Sequence, residues 1–331
     1  MTLLVVIPCL NEEAHLQDLL DALRRDPAAT DARIIVADGG STDASVAIVR
    51  KAAQNDPRIV LMHNPQRIQS AGINAAVRGY GSDAEFFVRV DAHASYPPNY
   101  LSSLLAAQRD SGADAVTVSM RAVAARGACF QQAAATAQNS ALGTGGSPHR
   151  HGGARRWVDH GHHALIRTQS FHTAGGYDES FSHNEDAEFD KRLTAKGGRI
   201  LLAADILIDY FPRATATGLA RQYLKYGEGR VRTSLKHKMP LKPRQLAPAL
   251  IAPGVTLSLA LTPFAPIAAA PAALWAAACL GFGFFLGIQS KRVCACAAGV
   301  PAMIMHFAWS VGFLRGAVGQ GGRRLSAGTA L

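Results

Sequence analysis

Cysteine is scarce in this 331-residue chain: five in all, an odd number, with no Cys-x-x-Cys pair. That excludes a zinc site built on paired thiolates and gives no disulfide framework. Cys279, Cys294 and Cys296 lie within apolar sequence and read as inert small hydrophobes. Acidic side chains are nearly missing from the C-terminal part. Residues 210–331 carry 14 Lys and Arg against the single Glu228, a net of +13, whereas residues 1–209 net −3. The excess of positive charge therefore lies where the long apolar runs lie, which reads as basic flanks of membrane segments. No patch interleaves basic and stacking aromatic residues, so nucleic acid is not an expected partner. The near-absence of acids from the tail also leaves a transporter little from which to build an ion path. The start "MTLLVVIPCLNEE" lacks a basic n-region and reads as a strand, not a signal peptide, which leaves the first domain in the cytoplasm. The turn after that strand has no Gly-x-Gly-x-x-Gly, which argues against a dinucleotide-dependent oxidoreductase.

What is present is a regular alternation. The β-rich runs "LLVVI", "RIIVA", "RIVLM", "EFFVRV" and "DAVTVSM" are separated by stretches of helical period, the first carrying Leu16, Leu19, Leu20 and Leu23. Continuous apolar strands alternating with helices predict a mostly parallel sheet sandwiched by helices, an α/β, Rossmann-like fold. Ligands in such sheets bind at the carboxyl ends of strands. Pro8 and Asn11 follow the first strand, Asp38 and the turn "DGGSTD" the second, and Asp91 the fourth. Three strand ends thus bring polar residues to one rim.

Residues 140–156 are Gly-rich and basic, which reads as a surface loop or as a lid whose Arg150, Arg155 or Arg156 closes over phosphates. Residues 246–290 contain no charged side chain. A helix needs ~20 apolar residues to cross a bilayer, so spans are expected at about 246–267 and 270–290, with a possible third at 293–314. Lys236, Lys238, Lys242 and Arg244 precede the first and mark that side as cytoplasmic. The expected division is a cytoplasmic domain over 1–235 and a membrane-associated region over 236–331.

"FFVRVDAHASYPP" ends an apolar strand on Asp91, with His93 two residues on. The pair either terminates a strand, as turn residues do, or holds a metal. In "SFSHNEDAEFDKRL", Ser182-x-x-Glu185 reads as a capping box and the acids suit a helix N-terminus. "DGGSTD" reads as a Gly turn leading into a helix capped by Ser41 or Thr42.

Taken together, "VVIPCLNEE", "VADGGSTD", "VRVDAHASYP" and "SHNEDAEFDKRL" resemble family-2 inverting glycosyltransferases of the GT-A fold. "NPQRIQSAGINAAV", "DHGHHALIR" and "RQYLKYGEGR" resemble the glucosyltransferase subgroup of succinoglycan synthesis. The resemblance implies that Pro8, Asn11, Glu12, Asp38 and Asn74 bind the nucleotide of a UDP-sugar, Asp38 accepting the uracil N–H. It implies that Asp91 and His93, standing where family members usually carry Asp-x-Asp, hold Mn2+ or Mg2+ against the diphosphate. Imidazole favours Mn2+, and Asp-x-His occurs in the polypeptide N-acetylgalactosaminyltransferases.

Asp186 is implied as the general base that takes the acceptor proton, so that one displacement inverts the anomer. Glu185, His163, Gln222, Lys225 and Tyr226 are implied toward the acceptor or diphosphate. Gln222-x-x-Lys225-Tyr226 is a loose form of the family's Gln-x-x-Arg-Trp, and also reads as a basic amphipathic helix at an anionic membrane surface. His160 and His162 are open to a metal, diphosphate or structural role. The implied activity moves a hexose, glucose, to a polyprenyl-diphosphate-linked saccharide during exopolysaccharide synthesis at the inner membrane. The alternative is a polyprenyl-phosphate hexose synthase of the dolichyl-phosphate mannose synthase type.

Overall fold

The computed structural model describes residues 2–125, 127–145, 153–240 and 247–328. Two compact units are formed, Met1–Arg121 with His151–Tyr210, and Ala122–Arg150 with Phe211–Leu331. Contacts thus divide the chain elsewhere than at residue 235, where the polar sequence thins out.

The first unit begins β1 (Thr2–Cys9), α1 (Leu16–Arg24), β2 (Ala32–Asp38), α2 (Ser45–Asn55), β3 (Ile59–His63), α3 (Gln69–Tyr80), β4 (Ala84–Arg89), β5 (Ala94–Ser95), α4 (Tyr100–Ser111) and β6 (Ala115–Ala122). The chain leaves for the second unit as α5 (Cys129–Gln138) and α6 (Ala141–Thr144). It returns as β7 (Arg156–Val158), β8 (His162–Arg167), α7 (Thr168–Ala174), α8 (Glu185–Ala195) and β9 (Ile200–Tyr210). The sheet order is β3-β2-β1-β4-β8-β6-β9-β5, with β7 paired to β9. β1 to β4 are mutually parallel. Beyond them β8 runs antiparallel to β4 and β6, and β5 and β7 antiparallel to β9.

Period-two alternation explains why the strands read as unbroken apolar runs. Leu3, Val5 and Ile7 of β1 pack with Leu16 and Leu20 of α1, Val49 of α2 and Leu101 of α4. Leu4 and Val6 pack on the other face with Ile73 of α3, Phe171 of α7 and Phe189 of α8. Both faces are covered, so every position of β1 from Leu3 to Ile7 is buried. The four leucines of α1 form its buried stripe, as their spacing predicts.

Two expected caps are absent. α8 is preceded by Asn184 in the left-handed region at φ 60°, without a side-chain cap bond, and Glu185 turns to Arg89 instead of closing a box with Ser182. At α2, Asp43 Oδ1 accepts from Ser45 N at 3.0 Å, leaving Ser41 and Thr42 to bind the loop after β1.

The second unit continues with α9 (Ala216–Lys236), α10 (Ile251–Leu261), α11 (Ala270–Ser290), a 3-10 turn over Val293–Ala297 and α12 (Gly299–Gly328). The α9–α12 contact is made by glycine. A Cβ on Gly227 would overlap the Trp309 carbonyl, and one on Gly312 the Leu224 carbonyl. Gly283 and Gly287 of α11 similarly admit the backbone of Gly299 and Cys296. Small residues of this kind let helices approach where lipid offers no hydrophobic drive to association. Segments Pro266–Ser290 and Val293–Gly319 are long and apolar enough to cross a membrane. Within the expected span 246–267 lies the shorter apolar helix Ala247–Leu261. Its 11-residue core α10 rises only ~16 Å, against a hydrocarbon layer of ~30 Å.

One cysteine reading is corrected. Cys129 at the start of α5 is disulfide-bonded to Cys294 in the 3-10 turn, with Cα atoms 5.1 Å apart. The partners are 165 residues apart and meet only through the packing of α5 on the turn, which local spacing does not report.

Candidate active site

The rim is built by loops stitched across strand ends. After β1, Asn11 adopts φ 57° and turns its side chain along the neighbouring loop. Its amide oxygen accepts from Thr42 N at 2.8 Å, and its own N–H donates to Ser41 Oγ at 2.9 Å. Glu12 N donates to Ser45 Oγ at 2.8 Å. Pro8 is half-buried in β1. Asp38, buried at the end of β2, accepts from Gly40 N at 2.9 Å and from Ser41 N at 3.2 Å. Gly40 needs its φ of +87° to make this turn, and the Arg67 guanidinium lies within 3.8 Å of where its Cβ would stand. Cys9 beneath the turn is no nucleophile, since burial pushes its thiol up to about 11.

The loop after β4 joins this rim. His93 Nδ1 lies 3.0 Å from Glu12 Oε1. Asp91 is anchored at its backbone by Tyr96, whose hydroxyl accepts from Asp91 N at 2.7 Å. Its Oδ1 accepts from Gln69 Nε2 at 2.9 Å and Arg89 Nε at 3.3 Å, while Oδ2 faces His162 Nε2 at 3.6 Å. Burial would raise the Asp91 pKa, but Arg89, His162 and His93 hold it well below the usual carboxylate range. Burial dominates at His162 and brings it down to about 4, so the imidazole beside Asp91 is neutral at pH 7.

Arg89 lies inside "VRVDAHASYP" with no role implied by that motif, and it links the two acidic segments. Its Nη1 donates to Glu185 Oε1 at 3.1 Å while its Nε serves Asp91. The available signal was strand parity, because residues 89 and 91 fall on one side of an extended chain. Burial and the adjacent Asp186 raise the Glu185 pKa against Arg89. Asp186 goes the other way, to about 2, because His160, His163, Arg89 and His162 together outweigh its burial. Asp186, half-buried, is thus an ionised carboxylate, the state a proton acceptor needs.

Other implied residues are committed inside the fold. Asn74 is buried in α3 and spends its amide on Tyr177 N, Tyr177 O and Glu179, which fastens the segment after α7. His163 is enclosed between Tyr177 and Asp190. Gln222, Lys225 and Tyr226 lie on α9 of the second unit, where Gln222 Nε2 donates to Tyr226 Oη at 2.9 Å and the buried Gln222 Oε1 has no hydrogen-bond partner among the described residues. Of the lid arginines, Arg155 is paired with Asp205 and Asp110, and Arg150 lies outside the described residues.

Among the described residues no group of three or more His, Cys, Asp or Glu side chains is assembled as a metal centre. A hard divalent ion held by one or two protein ligands and completed by substrate phosphates needs no such group. Asp91, with His93 two residues on and its Oδ2 facing the His162 imidazole at 3.6 Å, fits an ion of that kind.

The family model for glycosyl transferase family 2 matches residues 4–172, from β1 through most of α7. The chain belongs to that family. This family-2 glycosyltransferase is 45% identical over 312 residues to the succinoglycan biosynthesis protein ExoA of Rhizobium meliloti (strain 1021), covering 94% of each chain. Asp186 lies beyond the family match, which ends at residue 172, in the part covered by the near-full-length relative. The fold is GT-A-like. It superposes on the Pyrobaculum calidifontis mannosyltransferase PcManGT, solved with GDP-Man and Mn2+, at a TM-score of 0.59 and 20% identity over 95% of this chain and 86% of that one. A structure of GalNAc-T7 with UDP, GalNAc and Mn2+ is similar at a TM-score of 0.51 and 13% identity, covering 70% of this chain and 51% of its own.

Proposed function

We propose that this glycosyltransferase moves a hexose, glucose, from a UDP-sugar to a polyprenyl-diphosphate-linked oligosaccharide, with inversion, in exopolysaccharide biosynthesis. The observation that carries the reading is the convergence of Asp91 and Glu185, the neighbour of Asp186, on one buried guanidinium, Arg89. A donor-side acid and an acceptor-side acid then serve one reaction centre. Near-full-length similarity to a succinoglycan biosynthesis protein supports the acceptor class.

Asp38, Asn11 and the loop after β2 bind the nucleotide. Asp38 already fixes its own turn, and a uracil N–H adds one more donor to a carboxylate with lone pairs to spare. Asp91 and His93 would hold Mn2+ or Mg2+, and the bound ion would supply positive charge against the departing diphosphate. Asp186 accepts the proton of the acceptor hydroxyl as its oxygen attacks the anomeric carbon from the face opposite the diphosphate. Attachment at the inner membrane, by the two long apolar helices, confines enzyme and lipid-borne acceptor to one surface, with the first unit on the cytoplasmic side.

The test is incubation of membranes containing the full chain with a panel of labelled UDP-sugars and lipid-linked acceptors, with EDTA or added Mn2+. Transfer from UDP-glucose to a lipid-linked saccharide, lost in EDTA and restored by Mn2+, is expected, and Asp186→Asn should bind UDP yet transfer nothing. Product on polyprenyl phosphate alone would establish the synthase reading, and near-wild-type turnover in Asp186→Asn would remove Asp186 as base.

A further inference from the structure

We infer that Asp190, His160 and His163 form a positioning device for Asp186, in which Asp190 fixes two imidazoles one helical turn from the reacting carboxylate. The inference deepens the proposed function and rests on Asp186 being its base.

Residues 186 and 190 stand at i and i+4 of α8 and so share one face. Asp190 is fully buried, and each of its oxygens holds one ring. Oδ1 lies 2.7 Å from His163 Nε2, and Oδ2 lies 2.7 Å from His160 Nδ1. The second nitrogen of His163 meets the Tyr177 hydroxyl at 2.6 Å, and Phe189 packs edge-on against the ring at 5.5 Å. The His163 ring has no freedom to turn. A buried carboxylate with two imidazoles is a costly way to fill a core that Phe171, Tyr177 and Phe189 already line.

What the arrangement supplies is field. A buried acid beside another acid should protonate, and Glu185 is shifted that way. Asp186 is not, and the groups facing it explain why. From its own helix come the acids Glu185 and Asp190; from β4, Arg89; from β8 and the turn before it, His160, His162 and His163; from the segment after α7, Tyr177. Arg89 is already shared with Asp91 and Glu185. His160 and His163 are the two rings that Asp190 grips, one on each oxygen. A depressed pKa means that the base form is present above it and is lost as pH falls through it, so this device extends activity toward acid.

The experiment uses the full-length enzyme in detergent, with UDP binding by calorimetry and kcat measured against pH. His160→Asn keeps a donor where Nδ1–H stood but cannot carry charge. Its acid limb should move up by about one unit or more, with UDP affinity within about twofold of wild type. Asp190→Asn should lower kcat at neutral pH by roughly a hundredfold, with the donor KM little changed, and His160→Ala should lose more than His160→Asn. An acid limb that stays in place in His160→Asn overturns the inference. So does loss of UDP binding in both His160 variants, which would assign the residue to folding. The base reading fails separately, through turnover in Asp186→Asn; an inactive Asp186→Asn beside an unmoved His160→Asn profile sinks only the device.

Discussion

Arg89 is buried between two carboxylates, Asp91 and Glu185, and each depends on it for compensation. Removing one partner of a buried ion pair strands the other and costs about 3–5 kcal/mol. Arg89→Gln should therefore lower the thermal midpoint in detergent, and adding Glu185→Gln should recover part of the loss by removing the stranded charge. If the double variant is no more stable than the single, the guanidinium is not what tolerates Glu185. This residue also marks what the sequence could reveal. Asn11, Asp38 and Asp91 were legible because each closes a strand, and topology carries strand ends to one rim whatever surrounds them. Asn74 and His163 sit in equally suggestive motifs, yet their polar atoms are spent on Tyr177, Glu179 and Asp190. Gln69 and Asp190 were silent because their partners lie distant along the chain, and no local period reports those; Arg89 showed only its strand parity with Asp91, not its reach to Glu185.

At the level of elements, helices were legible by period while their partners were not. α12 reads as an apolar run, but its inner face is shaped to α9 through Gly312 and Gly316, where a Cβ would meet Leu224 and Val231. Gly312→Ala gains up to about 1 kcal/mol of helix propensity, while overpacking a helix contact costs about 1–3 kcal/mol. A lower thermal midpoint is thus expected. Gly254→Ala, with nothing within 4 Å of its Cβ, should be neutral or slightly stabilising. Equal midpoints for the two variants would mean that the close approach is not there. The disulfide between α5 and the 3-10 turn makes a covalent prediction. Alkylation after denaturation without reductant should label three thiols, those of Cys9, Cys279 and Cys296, and all five after reduction. Mass spectrometry reading five thiols in both samples would refute the pairing.

For the whole molecule, the charge and apolar runs suggest a cytoplasmic enzyme with a tail for an anchor, which could be removed by ending the chain near residue 245. The packing argues otherwise. Ala298, Ala302 and Met305 share a buried cluster with Ala134 and Ala137 of α5 and Leu219 of α9. Further along, Phe313 packs with Val231 of α9 and Ala249. The tail helices are therefore half of a core whose other half precedes residue 237. Cutting them away would bare the apolar stripe of α9 and the alanine face of α5, while every strand of the first unit remains. Exposed contiguous apolar patches of that kind drive association. A chain ending at residue 245 is thus expected in the aggregated fraction when expressed without membranes, where a detachable anchor would release a monodisperse enzyme. Size-exclusion chromatography distinguishes the two, and a monomeric, UDP-binding fragment would show that α5 and α9 hold their fold without α12.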